Sequence, residues 1–345
     1  MKLVNKSKSF IERRNLPINY NKEDKNLFHH ELKKKFPSIK IYSTRNIYVH
    51  QEKMKIYKFI RFHSNFWRMS NFWLRHKFKF FIEDIKLFLK SNKTNMEDIE
   101  VIERGIWVTD QKSWKYMHWF CDALQRIEFS NEYLNEYPVI LSSNYLNYHY
   151  IVSTLKLLEI PFKIVEREKK YLVKDLIITS HIAPAGNFKS DLINKISKKF
   201  KYSVIKDNNI PTNKLWISRN RSEIRKEKNF DGLSKLLEKY KYQIVYLEDY
   251  SLHEQIILVN QSHTIAGLHG AGLNNMLFLQ KGANILEVRA SEDAGNNCYF
   301  SLASSLGLNY YYSFAECDFE GDFYSSDYII DLIQLEKTIK AIESV

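Results

Sequence analysis

The stretch from His263 to Arg289 reads HTIAGLHGAGLNNMLFLQKGANILEVR. Its first part, Thr264 to Leu268, is an apolar run short enough for a buried strand. His269-Gly270-Ala271-Gly272 turns the backbone, Leu273 to Leu279 reads as a helix, and Lys281-Gly282 closes it. Ile285 to Val288 makes the next strand. Strand, glycine turn and helix start in this order form an anion site. Glycines let the backbone come close, while free N–H groups and the helix dipole face negative charge. Glu287, on the second strand, is expected at the mouth of the same crevice, where an open α/β sheet binds its ligand and a carboxylate suits ribose hydroxyls. The plainer reading of these residues is a turn between strand and helix with no ligand, so the choice falls to the flanking segments.

Immediately upstream, KLWISR is a strand ending in Arg219, followed by a polar loop that carries Arg225 and leads to the helix NFDGLSKLLEKY. A strand's carboxyl end in such a domain faces the ligand crevice. A guanidinium there binds phosphate bidentately and neutralises charge on a leaving diphosphate. The alternative is surface charge, the expected fate of Arg221, Lys226 and Lys228. QIVYL then reads as a strand and SLHEQIILVN as a helix opened by a Ser251/Glu254 capping box. Further upstream, residues 201–213 read as a polar linker, and residues 101–200 repeat the strand–helix alternation. In that first half KSWKYMHWFCDALQRIEF is a helix with His118 and Asp122 at i, i+4, one face carrying imidazole and carboxylate. They form either an orienting pair in the core or a site pair that takes a proton from an attacking hydroxyl. Downstream, helix- and strand-like runs near 297–306 and 308–312 precede an amphipathic helix at 328–342.

The whole chain has 345 residues, enough for two ordinary cores, with 44% hydrophobic residues and 22 each of Tyr and Phe. No window of 18 apolar residues without charge occurs, so no membrane-crossing helix is expected. The basic start, MKLVNKSKSFIERRN, lacks the apolar core of a secretory signal. Cys121, Cys298 and Cys317 form neither a disulfide framework nor a zinc pattern, which fits a reducing cytosol. Charge is uneven: residues 1–95 carry 23 Lys and Arg against 7 Asp and Glu, net +16, and the remainder 29 against 33, net −4. Residues 1–52 read as loosely structured. Residues 53–95 interleave Phe59, Phe62, Phe66, Trp73 and Phe80 with Arg and Lys at helical spacing. That segment packs on the body, lies on an anionic membrane surface, or meets a nucleic acid.

GIWVTDQKSWKYMHWFCDALQRI, LWISRNRSEIR, YSLHEQI and GLHGAGLNNMLFLQKGANILEV, in this order, resemble glycosyltransferase family 61 over roughly residues 100–312, most specifically at HGAGL. That family includes bacterial capsule and surface-polysaccharide transferases, plant xylan-decorating enzymes and animal enzymes that glycosylate proteins. The resemblance implies an α/β fold of two Rossmann-like lobes, the type B glycosyltransferase architecture, and an inverting transfer from a nucleotide sugar. It implies donor binding by Arg219, Arg225, His269, Gly270, Ala271, Gly272, Leu273, Asn275 and Glu287, with His118 and Asp122 facing the cleft from the acceptor lobe. Gln125-Arg126 departs from the Pro-Arg common in relatives.

The expected organisation is a basic helical extension (1–95), an acceptor lobe (96–205), a donor lobe (206–327) and a C-terminal helix (328–345) crossing back to the first lobe. No strict Asp-x-Asp triplet occurs, so no metal is expected, and Arg219 with the helix start stabilises the leaving group. The expected co-substrate is a UDP-sugar and the acceptor a glycan, free or lipid-linked, in bacterial capsule synthesis. The setting is cytoplasmic, with residues 53–90 against the membrane and no nucleic acid. The rival is a non-catalytic polysaccharide- or nucleic-acid-binding protein. An esterase is excluded, because its Gly-x-Ser-x-Gly nucleophile elbow is missing.

Overall fold

The computed structural model of the chain describes residues 1–50, 55–57, 99–110, 112–166, 169–183, 186–206, 209–318 and 323–344. Its first nine strands are β1 (Lys2–Lys6), β2 (Phe10–Arg13), β3 (Lys33–Phe36), β4 (Lys40–His50), β5 (Lys55–Tyr57), β6 (Ile99–Trp107), β7 (Val139–Ser142), β8 (Phe162–Val165) and β9 (Lys170–Thr179). Seven of them make one mixed sheet in the order β1-β4-β9-β6-β7-β8, with β5 also on β4, while β2 and β3 pair separately. β6, β7, β8 and β9 run parallel; β4 and β1 are antiparallel additions.

A second sheet is built from β10 (Asn213–Ile217), β11 (Gln243–Val245), β12 (Ser262–Leu268), β13 (Asn284–Ala290), β14 (Asn309–Cys317) and β15 (Tyr328–Ile330). Its order is β11-β10-β12-β13-β14-β15, parallel except for β15. The central strands β12 and β13 are buried along almost their whole length, which is why they read as continuous apolar runs. Helices cover both faces. One face packs Trp216, Ala266, Leu286 and Tyr311 against Leu233, Leu237, Leu335 and Ile339 from helices Phe230–Lys239 and Leu332–Glu343. The other faces a core shared with the first sheet, in which helices Ser190–Val204, Leu252–Asn260 and Cys298–Leu306 interleave. The capping box is formed: the Ser251 hydroxyl accepts from the Glu254 N–H, and the Glu254 carboxylate accepts from the Ser251 N–H at 2.7 Å.

Each sheet has a point where the chain changes direction. β11 lies on one side of β10 and β12 on the other; likewise β7 and β8 extend one side of β6 while β9 takes the other. Ligands of open α/β sheets sit outside the carboxyl ends of the strands at such points.

Four expectations need correction. Residues 1–52 are not loose: β4 pairs with β9 from Ile41 to His50, with Ile41 buried in one core and Ile47 and Val49 in another. Residues 14–31 cross to the second sheet, where the Ile18 N–H donates to the Tyr310 carbonyl at 2.8 Å and Asn19 exchanges two hydrogen bonds with the Tyr312 backbone. The linker is shorter than supposed, since the helix Ser190–Val204 occupies its first residues. Finally, the C-terminal helix does not cross back. It lies on the second sheet, its Glu343 paired with Lys214 and its Glu336 with Lys239. The aromatic basic segment 53–95 falls outside the described residues, except Lys55–Tyr57, which form a strand and not a helix. Among the described residues no helix is long and apolar enough to cross a membrane.

Candidate active site

At the switch point of the second sheet, Arg219 follows β10 and His269-Gly270 follow β12. The end of β10 is anchored by Glu227, a buried carboxylate that accepts the Arg219 N–H at 2.9 and 3.1 Å and the Trp216 indole N–H at 3.2 Å. Burial raises the Glu227 pKa above the usual range despite these donors. The loop from Arg219 folds back on itself. The Arg219 side chain donates to the carbonyls of Arg225 at 3.2 Å and Ile224 at 3.1 Å, and Arg225 takes a left-handed φ of 59°. A non-glycine residue held there costs roughly 1–3 kcal/mol, a common feature of binding loops.

The fold-back brings two guanidiniums together. Arg225 donates to the His269 carbonyl at 3.3 Å, and its buried Nε has no hydrogen-bond partner among the described residues. A Cβ on Gly270 would stand 2.7 Å from Arg219 Nη1, so glycine is what lets that guanidinium lie on the turn. Burial, then the neighbouring Arg225 cation, lowers the pKa of Arg219. Neither arginine is ion-paired among the described residues. Two adjacent unpaired cations on a strand-to-helix turn describe an anion site.

The turn itself differs in detail from the sequence reading. Ala271–Phe278 is a 3-10 helix, not an α-helix, as the Gly272, Asn274 and Asn275 content favours. A Cβ on Gly272 would meet Ile217 Cγ2 at 2.6 Å, so this glycine serves packing of the turn on β10. Leu273 is buried core. Asn275, also buried, accepts from the Tyr116 hydroxyl at 3.0 Å and donates to the Gly272 carbonyl at 3.0 Å. Ala271 is half-buried at the helix start. Glu287 is fully buried, with one oxygen on His269 Nδ1 and the other on the Tyr310 hydroxyl at 2.5 Å. It therefore holds the imidazole and does not stand at the mouth facing a ribose. Burial opposes its charge, but His269 and Arg289 more than offset that and keep the carboxyl below its usual range. His269 Nε2 meets the Asn296 amide at 2.8 Å, which fixes the ring at both nitrogens.

Across the cleft, residues 116–129 form one helix with a π-helical turn at Trp119–Ala123, a widening that often marks functional sites. His118 Nδ1 meets Asp122 Oδ2 at 2.5 Å, with side chains 17% and 9% exposed, so the imidazole still reaches solvent. Tyr116 and Cys121 tie this helix to the turn after β12; the Cys121 thiol meets Asn274 Oδ1 at 2.9 Å. Buried Tyr299 is near enough to Cys298, Glu287, Arg225 and Cys121 to interact electrostatically with each, and its ring stands edge-on to His269. Helix 116–129 and the arginine pair thus approach one another across buried Tyr299.

The sequence reading missed a cluster at the switch point of the first sheet. Asp110, beyond β6, pairs with buried Arg126 at 3.0 Å and lies 3.3 Å from Nε2 of His181, beyond β9. Burial works against the Asp110 charge, but Arg126 and His181 outweigh it and hold its pKa low. The strand-end rule that singled out Arg219 applies equally to VTD and TSH, the residues closing β6 and β9. Among the described residues no three His, Cys, Asp or Glu side chains are grouped as for a metal ion.

The fold and these facing clusters define an α/β protein that presents an anion site on one sheet and a histidine–carboxylate pair on the other. Residues 116–286 match the family model described as Glycosyltransferase 61, and the chain belongs to that glycosyltransferase family. It is similar to the EGF domain-specific O-linked N-acetylglucosamine transferases of Xenopus laevis (36% identical over 94 residues, 26% of this chain and 18% of that protein). The enzyme of the same name from Drosophila melanogaster is 37% identical over 98 residues, 28% of this chain and 18% of the relative. The aligned stretch thus spans under a fifth of these curated relatives.

Proposed function

We propose that the chain transfers a sugar from a nucleotide-sugar donor, with inversion, to a glycan acceptor. The observation that carries this reading is the pair Arg219 and Arg225, without an ion pair among the described residues and set beside Gly270 at the switch point of the second sheet. The donor's diphosphate lies between the guanidiniums and the turn. The acceptor hydroxyl attacks the anomeric carbon from the opposite face, on the His118–Asp122 side. As that bond forms, the carbon–oxygen bond to the diphosphate breaks and its electron pair leaves with the phosphate. The hydroxyl's proton passes to the dyad: Asp122 orients His118 through Nδ1, and Nε2 is the nitrogen free to accept it. The two guanidiniums supply the positive charge that the departing diphosphate requires, so the reaction needs no metal. In this reading the two sheets are the acceptor and donor lobes of a type B glycosyltransferase.

The relatives' names make UDP-N-acetylglucosamine the first donor to test. The family's bacterial members favour a surface polysaccharide or lipid-linked glycan as acceptor. A cytoplasmic location with residues 53–90 on the membrane belongs to that same proposal. The experiment is a thermal-shift panel of nucleotide sugars followed by product formation with EDTA present. A bound donor raises the melting temperature by linkage. Stabilisation by one donor and EDTA-resistant transfer are expected. Binding without transfer to any acceptor or to water would favour a polysaccharide-binding protein.

A further inference from the structure

The crevice on the first sheet holds a second histidine–carboxylate pair, and it is not the one that the mechanism uses. His181 follows β9 directly, and its place is fixed by the backbone: the Ser180 N–H donates to the Lys40 carbonyl at 2.9 Å, and the Lys40 N–H to the Ser180 hydroxyl at 2.9 Å. Its Nε2 lies 3.3 Å from Asp110 Oδ2, and its side chain is 23% exposed. A carboxylate only accepts hydrogen bonds, so this neighbour favours the tautomer with the proton on Nε2. Nδ1 is then a lone pair, and it has no hydrogen-bond partner among the described residues. Asp110 is itself held in place by Arg126 and Ser113. Asp122 and His118 are both close enough to influence His181, so the two histidines share one crevice.

Two oriented imidazoles in one crevice read two hydroxyls. A serine or threonine side chain brings one; a sugar ring brings neighbouring hydroxyls a few ångströms apart. Resting on the transfer proposed above, we infer that His181 binds a second hydroxyl of the acceptor, and that the acceptor is therefore a sugar and not a hydroxyl of a polypeptide. Burial and the Arg126 cation lower the His181 pKa to about 4, so the ring is neutral at pH 7. A neutral ring of low basicity suits a hydrogen-bond acceptor that positions a non-reacting hydroxyl, while the proton goes elsewhere.

The test uses the full chain, UDP-N-acetylglucosamine and the other nucleotide sugars of the panel as donors. The acceptors are a set of methyl glycosides with their monodeoxy analogues and a folded EGF-domain polypeptide. His181→Ala is expected to raise the KM for the glycoside at least tenfold, with a smaller change in kcat and a donor Kd within twofold of wild type. His181→Asn, whose amide oxygen overlays Nδ1, should recover part of that KM. One monodeoxy glycoside should be a poor acceptor for the wild type yet no worse than the parent glycoside for His181→Ala. An unchanged glycoside KM in His181→Ala, or wild-type transfer to the polypeptide but to no glycoside, would overturn the inference while leaving glycosyl transfer standing. Failure of the wild type to release sugar from any donor, to acceptor or water, would overturn the underlying reading as well.

Discussion

Arg219 and Arg225 stand side by side with no ion-paired carboxylate among the described residues, an arrangement that costs stability unless an anion completes it. Removing Arg219 removes one charge-stabilising donor from the leaving group, a loss worth about 10²–10³ in rate, or roughly 3–4 kcal/mol. Steady-state kinetics on Arg219→Ala checks this. Asp122→Asn should instead hold the donor normally and lose turnover, because the amide orients the imidazole in the wrong tautomer. Glu287 makes a different prediction. Since it grips His269 and Tyr310 from within the core, Glu287→Gln should slow transfer with little change in acceptor KM. A pure loss of donor affinity would return it to the ribose. His181 adds a pH dependence: its pKa falls on folding from the ordinary value near 6.5 to about 4. The unfolded chain therefore binds more protons between those values, so the His181 contribution is present above about pH 6.5 and is lost as pH falls towards 4. Urea unfolding should show up to about 3 kcal/mol lost across that window, and His181→Asn should flatten it.

At the scale of elements, the turn after β12 separates two kinds of glycine. A Cβ on Gly272 meets the branched side chain of Ile217 in the core, so Gly272→Ala should cost about 1–3 kcal/mol of stability through overpacking. A Cβ on Gly270 meets the flexible end of Arg219, so Gly270→Ala should leave the fold intact and weaken donor binding. Thermal unfolding and donor titration on the two variants read the difference. The turn was legible in the sequence because a buried parallel strand is a plain apolar run and the glycines punctuate it. Its 3-10 geometry was not, since one hydrogen-bond register differs from the other by a single residue. β4 was hidden for another reason. Its KIYSTRNIYVH does carry β-branched residues, but Lys and Arg around it suggested a solvated extension. Asp110 and His181 were hidden because neither has a motif: they meet only when β6 and β9 lie side by side.

At the scale of the molecule, residues 1–31 start on the first sheet and end on the second. Arg14 donates to the Glu31 carbonyl at 2.7 Å and to Asn187 at 2.7 Å, which ties this strap to the loop beyond His181. Phe28, fully buried, packs its ring 5.1 Å from that of Phe300 and 4.9 Å from Tyr312. Phe28→Ala should cost about 3–5 kcal/mol, read by denaturant unfolding; a cost under 1 kcal/mol would make the strap a surface decoration. The central claim is that one crevice divides its work, the second sheet holding the diphosphate and the helix 116–129 taking the proton. Calorimetric titration of UDP, GDP and CDP into the wild type, Arg219→Ala and Asp122→Asn tests it most directly. The account predicts that one nucleoside diphosphate binds the wild type, binds Asp122→Asn equally, and binds Arg219→Ala about 10- to 100-fold more weakly, the range of a charge-assisted hydrogen bond. Equal binding by Arg219→Ala, or lost binding by a folded Asp122→Asn, would contradict it.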